Sequence, residues 1–284
     1  MRSKLISVLG GGLLCAAALP WAGVTSVDAK PVVVKTKAVV ANTAAKTAAK
    51  TVATTVKPVA VKPVAAVTFA DSALARRSDD VAKAGVSPEV LGLALRSVRC
   101  AVSSGDIETP RTLTLIDYSR PSVEPRLWVF DVATGDMLFK ELVAHGRNTG
   151  DNMARQFSDS LNSHQSSIGL FVTDDTYVGS NGYSLRLDGL EPGFNSRARE
   201  RAIVMHGAPY VNAALAASQG RIGRSWGCPA LREAVARNVI DTIRGGGVIF
   251  SYYPDEEWLK TSRFLNGCGQ EATEKSVTSV PSVT

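Results

Sequence analysis

A mostly β fold, a β-sandwich or barrel with a few peripheral helices, is predicted by how the strand and helix patterns are arranged along the chain. Short runs rich in β-branched and aromatic residues recur at 112–118, 126–131, 138–144, 168–173, 183–187, 202–205 and 248–253. Only one helical pattern, 232–244, is set among them, which excludes the strand–helix alternation of a doubly wound sheet. The other two helical patterns come before the first strand.

The 284-residue chain starts with a basic head (Arg2, Lys4), an apolar run from Leu5 to Leu19 and small residues at Val27 and Ala29. Residues 1–29 therefore read as a secretory signal peptide, which predicts export to the periplasm or cell envelope and no stable membrane insertion after cleavage. Residues 30–70 are dominated by Ala, Val, Lys, Thr and Pro, with TAAK and VKPVA each repeated, and read as a disordered tether. A helical segment is expected over 71–110: Asp71 caps a first helix, and Ser87-Pro88-Glu89 opens a second whose Val90, Leu91, Ala94, Leu95, Val98 and Val102 keep the helical period. The strands follow in a domain expected over 111–265, with a turn at Ala133-Thr134-Gly135-Asp136 and a glycine stop at 245–247 after the late helix. Residues 266–284 read as a disordered tail.

Charge follows this division. Of 32 Lys and Arg, two fall in the signal and seven lysines in the tether, leaving 23 against 25 acids from Asp71 onward. The folded part is near neutral, so the net +6 gives no reason to expect nucleic-acid binding; a monomer is expected. Once Cys15 leaves with the signal, Cys100, Cys228 and Cys268 remain. Three is odd, so in an oxidising compartment one thiol stays free even if the others pair.

The stretch GRSWGCP (223–229) contains two nucleophiles, Ser225 and Cys228. Ser225 completes G-x-S-x-G, but the preceding AALAASQGRI is polar and helix-like, and His145, His164 and His206 all come before it; the serine elbow needs a buried strand before the serine and a histidine after it. Other serine folds place the histidine first, so order alone does not exclude Ser225. Cys228 needs only a base and a stabilised thiolate. Pro229 is expected to open a helical turn whose dipoles favour that thiolate, and Gly227 to let backbone N–H groups face an oxyanion. The base is expected to be His206, which stands with Gly207 at the end of the apolar run AIVM. His145, in VAHG, is expected to line the same pocket, and His164 to lie on a surface loop. Lacking H-E-x-x-H, C-x-x-C or a close His pair, the chain is expected to hold no metal and no cofactor.

The segments HGAPY (206–210) and GRIGRSWGCPAL (220–231) resemble the catalytic segment of the murein L,D-transpeptidase family, in its branch with S-x-G-C-P. LTLIDYSRPSVEPRLWVFD, LVAHGRNTG, HQSSIGLFVT, YSLRLDGLEPGFN and RAIVMHG extend the similarity over residues 113–254. The resemblance implies an L,D-transpeptidase-like catalytic domain that forms a thioester on peptidoglycan stem peptides, with Cys228 as nucleophile and His206 as base. It also implies supporting or oxyanion roles for Ser225, Trp226, Gly227 and Gly207, and substrate contacts by Arg224, Tyr210 and His145. Trp226 stands where the wider family has a second histidine, and Ala230 where it has an arginine, which leaves Arg224, Arg221 and Arg232 as candidates for carboxylate recognition. The alternatives are an L,D-carboxypeptidase using the same Cys–His site and a non-catalytic wall-binding protein.

Overall fold

The computed structural model describes residues 73–269. The expected signal peptide and tether, the Asp71 cap and most of the expected tail lie outside that range.

In chain order the elements are α1 (Ala73–Arg76), α2 (Ser78–Lys83), α3 (Pro88–Ser103), β1 (Thr112–Asp117), β2 (Leu127–Asp131), β3 (Met137–Glu141), β4 (Val143–Ala144), β5 (Gly169–Gly179), β6 (Gly182–Gly189), β7 (Val204–Gly207), α4 (Ala213–Gln219), β8 (Ala230–Leu231), α5 (Glu233–Ile243), β9 (Val248–Tyr252), α6 (Glu256–Thr261) and α7 (Arg263–Asn266), then a 3₁₀ turn at Gly267–Gly269. The strands form one nine-stranded sheet in the order β3-β2-β1-β9-β5-β6-β7-β8-β4. Its two edge strands, β3 and β4, are separated in sequence by Leu142 alone, so the sheet curls until it nearly closes. Arg126 spans the seam: its N–H donates to Glu141 O at 3.1 Å, and its Nε and Nη2 donate to Val143 O at 3.1 and 2.9 Å.

Alternation along the central strands supplies two cores. Leu113 and Leu115 of β1, with Val248, Phe250 and Tyr252 of β9, join the apolar face of α3 and Trp258 and Phe264 from α6 and α7. The intervening Ile116 and Ile249 turn to the other face, against Ala236, Val239, Ile240 and Ile243 of α5. Each fully buried Leu, Ile, Val or Phe contributes about 1.5–3 kcal/mol, so α3, which buries Val90, Leu91, Ala94, Leu95 and Val98, belongs to the main core.

Several expectations change. The first helix is split at Arg77 into α1 and α2, and the expected strand 138–144 breaks at Leu142 as the chain crosses from one sheet edge to the other. Pro229 opens no helical turn; β8 follows it, pairing in parallel with β7. Order continues past 266, because α7 leads into the 3₁₀ turn and Cys268 forms a disulfide with Cys100 of α3. The sequence reading did not anticipate β8, α6 or α7; α6 is capped by Asp255, whose side chain accepts from Trp258 N–H at 2.8 Å.

Candidate functional site

The register of β7 and β8 builds the site. His206 pairs with Ala230 and Gly207 with Leu231. Running that parallel register back two residues sets Cys228 beside Val204, whose N–H lies 3.5 Å from the Cys228 sulfur. Beyond the strands a cleft of about 330 Å³ opens, lined by His206, Tyr210, Arg224, Ser225, Trp226 and Cys228. Ser180 and Asn181 also line it, from the two-residue turn where β5 passes into β6. The sequence reading missed them, although Asn181-Gly182 is a strong hairpin signal.

The two nucleophiles are in different states. Cys228 is a free thiol, 7 % exposed, its S–H directed at Ala202 O (3.7 Å). Burial pushes its pKa up, while the Val204 N–H and the Arg201 guanidinium pull it back. The expected thiolate at a helix end is thus replaced by a protonated sulfur in a buried strand lead-in. Ser225 Oγ, by contrast, is tied into its own turn: it accepts from Gly227 N–H at 3.0 Å and donates to Cys228 O at 2.6 Å. Its own N–H donates to His145 O at 2.9 Å.

Gly227 has φ +124°, and a Cβ there would lie 2.8 Å from Gln165 O and 2.9 Å from Ile203 Cδ1. Only glycine fits that backbone. Since its N–H is committed to Ser225, the expectation that this N–H faces an oxyanion is corrected; Gly227 shapes the turn that presents Cys228.

His206 is buried, and burial lowers its pKa. Nδ1 lies 2.9 Å from Gly207 O. A carbonyl only accepts, so Nδ1 carries the proton and Nε2 the free lone pair. This gives Gly207 a role through its carbonyl. The Tyr210 hydroxyl is pushed up to about 12 by burial and by the negative charge Cys228 would carry.

His145 is not in the cleft. It is fully buried; Arg126 Nη2 donates to its Nδ1 at 2.8 Å, and its Nε2 donates to Gly150 O at 3.2 Å. The guanidinium can only donate, which settles the tautomer, and burial pushes the pKa down to about 4. The expectation of a pocket-lining His145 is corrected to a neutral core histidine. The candidate arginines also separate: Arg232 forms a bidentate pair with Glu141 (2.8 and 2.7 Å), whereas Arg224 lines the cleft and is held by Asp151 at 2.9 Å.

Trp226 is 68 % exposed at the mouth, with the His164 ring stacked on it at 4.9 Å and the Arg147 guanidinium 5.6 Å from its centroid. Among the described residues no group of three or more His, Cys, Asp or Glu could hold a metal ion.

The family model described as L,D-transpeptidase catalytic domain matches residues 82–252. No curated protein matches. The solved structures similar to the chain include an L,D-transpeptidase from Mycobacterium smegmatis (15% identity, 50% of this chain and 59% of that one, TM-score 0.32). L,D-transpeptidase 1 of Mycobacterium tuberculosis is similar at 14% identity over 50% of this chain and 62% of that one, TM-score 0.29. The helical cell shape determining protein of Campylobacter jejuni shares 11% identity over 56% of this chain and 57% of that one, TM-score 0.33. The chain thus spans less than two thirds of each of these structures.

Proposed function

We propose, from the premise that this chain belongs to the L,D-transpeptidase catalytic domain family, that it is a cysteine acyltransferase acting on peptidoglycan stem peptides, with Cys228 as nucleophile and His206 as base. The observation that carries this reading is the shared cleft: the one free cysteine among the described residues and a histidine whose proton is held on Nδ1 line the same cavity.

Both groups are driven toward their neutral forms by burial, which favours general-base activation over a resting ion pair. As Sγ attacks the carbonyl of the third stem residue, its proton passes to His206 Nε2. The tetrahedral oxyanion is met by main-chain N–H groups of the Trp226–Cys228 turn other than that of Gly227. Collapse breaks the peptide bond; the departing amine of the terminal D-alanine takes the proton from His206 and leaves a thioester on Cys228. An amine from a second stem then attacks the thioester, giving up its proton to His206, and the new amide leaves as Sγ recovers a proton. Ser225 and Gly227 hold the turn, and Arg224, Tyr210 and Trp226 face the substrate from the cleft walls.

Export to the cell envelope belongs to the same reading. It is supported by the signal-like residues 1–29 and by the Cys100–Cys268 disulfide, a bond that persists in oxidising compartments. Among the described residues no helix is long and apolar enough to cross a membrane.

Intact mass after exposure to a carbapenem-type β-lactam tests the assignment. A single adduct is expected on the native chain, none on Cys228→Ala and slowed formation on His206→Ala. An adduct that survives Cys228→Ala overturns it. Incubation with purified sacculi then reads the acceptor: cross-linked dimers mean an amine resolves the thioester, tetrapeptide alone means water does.

A further inference from the structure

We infer that Arg201 is a positioning residue for the reacting sulfur: it holds a fixed, buried positive charge behind the Gly227–Cys228 turn and so stabilises the Cys228 thiolate as it forms. The inference deepens the proposed function and rests on Cys228 being the nucleophile.

The guanidinium of Arg201 is 3 % exposed. Its Nη1 donates to Ser158 O (2.5 Å) and Ser167 Oγ (2.6 Å), its Nη2 to Ser163 Oγ (3.0 Å) and Gln165 O (2.6 Å). Four neutral acceptors lock the fork in place without cancelling its charge. The nearby carboxylate, Asp159, is 3.8 Å away and is shared, since it also accepts from Arg197 N–H at 3.1 and 3.0 Å and from Ser196 Oγ at 3.2 Å. Nη2 lies 3.5 Å from where a Cβ on Gly227 would stand, which puts the charge in van der Waals contact distance of the turn.

The residues that follow Arg201 surround the same sulfur. Ala202 has φ +53°, a left-handed conformation costly for a residue with a Cβ, and its carbonyl faces Sγ at 3.7 Å. Val204 then presents its N–H at 3.5 Å. The Ala202 carbonyl accepts from the thiol, the Val204 N–H donates to the thiolate, and Arg201 adds the charge term, which is strong where water is excluded. Burial raises the Cys228 pKa and Arg201 opposes it.

The other titratable or charged groups facing the sulfur are His206, Tyr210 and Arg224 in the cleft and the buried Tyr118, which follows β1. Tyr118 and Tyr210 are held neutral, with pKa values raised to about 12, and His206 is pushed toward neutrality. The Arg224 charge is met by Asp151 at 2.9 Å. Arg201 is therefore the cation to which thiolate formation is most sensitive.

The test is the pH profile of Cys228 alkylation by iodoacetamide in the full chain, followed on the Cys228 peptide by mass spectrometry. Arg201→Gln is expected to move the midpoint up by about one pH unit, which makes alkylation about tenfold slower below it. Arg201→Lys, which keeps the charge and loses the fork, is expected to stay near the native midpoint, and Asp159→Asn to move it down. Circular dichroism and melting identify the variants that fold. An unmoved midpoint in folded Arg201→Gln or Asp159→Asn, or equal shifts for Gln and Lys, overturns the inference while leaving the role of Cys228 intact. A carbapenem adduct on Cys228→Ala instead overturns the proposed function, whatever the midpoints do.

Discussion

The hydroxyl of Ser225 donates to the carbonyl of Cys228 at 2.6 Å and in the same turn accepts from Gly227 N–H at 3.0 Å. One side chain thus closes the Ser-Trp-Gly-Cys turn on itself. The hydroxyl that matches a serine-elbow motif gives its proton to a main-chain carbonyl and not to a histidine.

Ser225→Ala is expected to leave two buried backbone groups without their partner, at about 1–3 kcal/mol each. Acylation should slow at least tenfold while the adduct remains on Cys228. Urea unfolding and peptide mapping of the labelled chain measure the two effects. A nucleophilic Ser225 would instead carry the label in the native chain.

Gly227→Ala tests the backbone at φ +124°, where a methyl group would meet Gln165 O at 2.8 Å. Strain of about 1–3 kcal/mol is expected, together with an acylation rate reduced about a hundredfold by displacement of the neighbouring thiol. Melting and single-turnover acylation check it.

Turnover should depend on neutral His206. Because burial lowers its pKa, the acid limb of kcat/KM is expected below the ordinary histidine value of about 6.5, with activity lost as pH falls through it. An acid limb above that value would contradict a buried neutral base.

His145 predicts a pH dependence of stability. Its folded pKa, about 4, lies below that of the unfolded chain, so between those values only the unfolded state binds the proton. The stability from this group is fully present above pH of about 6.5 and falls by about 3 kcal/mol as pH drops to its folded pKa. Urea midpoints across that window should show the slope, and His145→Gln, provided it folds, should flatten it.

Joining Cys100 to Cys268 closes a sequence separation of 168 residues. Replacing both by serine is expected to cost about 2–5 kcal/mol in urea unfolding, with α7 and the 3₁₀ turn released first. Hydrogen exchange in 263–269 should rise before exchange in α3.

What the sequence alone determined about this protein is what local patterns encode. The β-rich runs of β1, β2, β5, β6 and β9, the periodic face of α3, the late helix α5 and the family resemblance are all written in short stretches, because period and turn chemistry act over a few residues. The histidine order and the polar lead-in before Ser225 favoured Cys228 as candidate without excluding Ser225. The tertiary structure decided which of these pieces face one another. Two-residue strands such as β4 and β8 have no pattern of their own and exist because a neighbour pairs with them. His145 and His206 each close an apolar stretch and look alike in sequence, yet sheet closure buries one against Arg126 and leaves the other on the cleft. Val204 reaches the sulfur from more than 20 residues away because the sheet order sets β7 beside β8. Burial and long-range pairing belong to the closed sheet as a whole, so the environment that governs the thiol has no signature in the residues next to it.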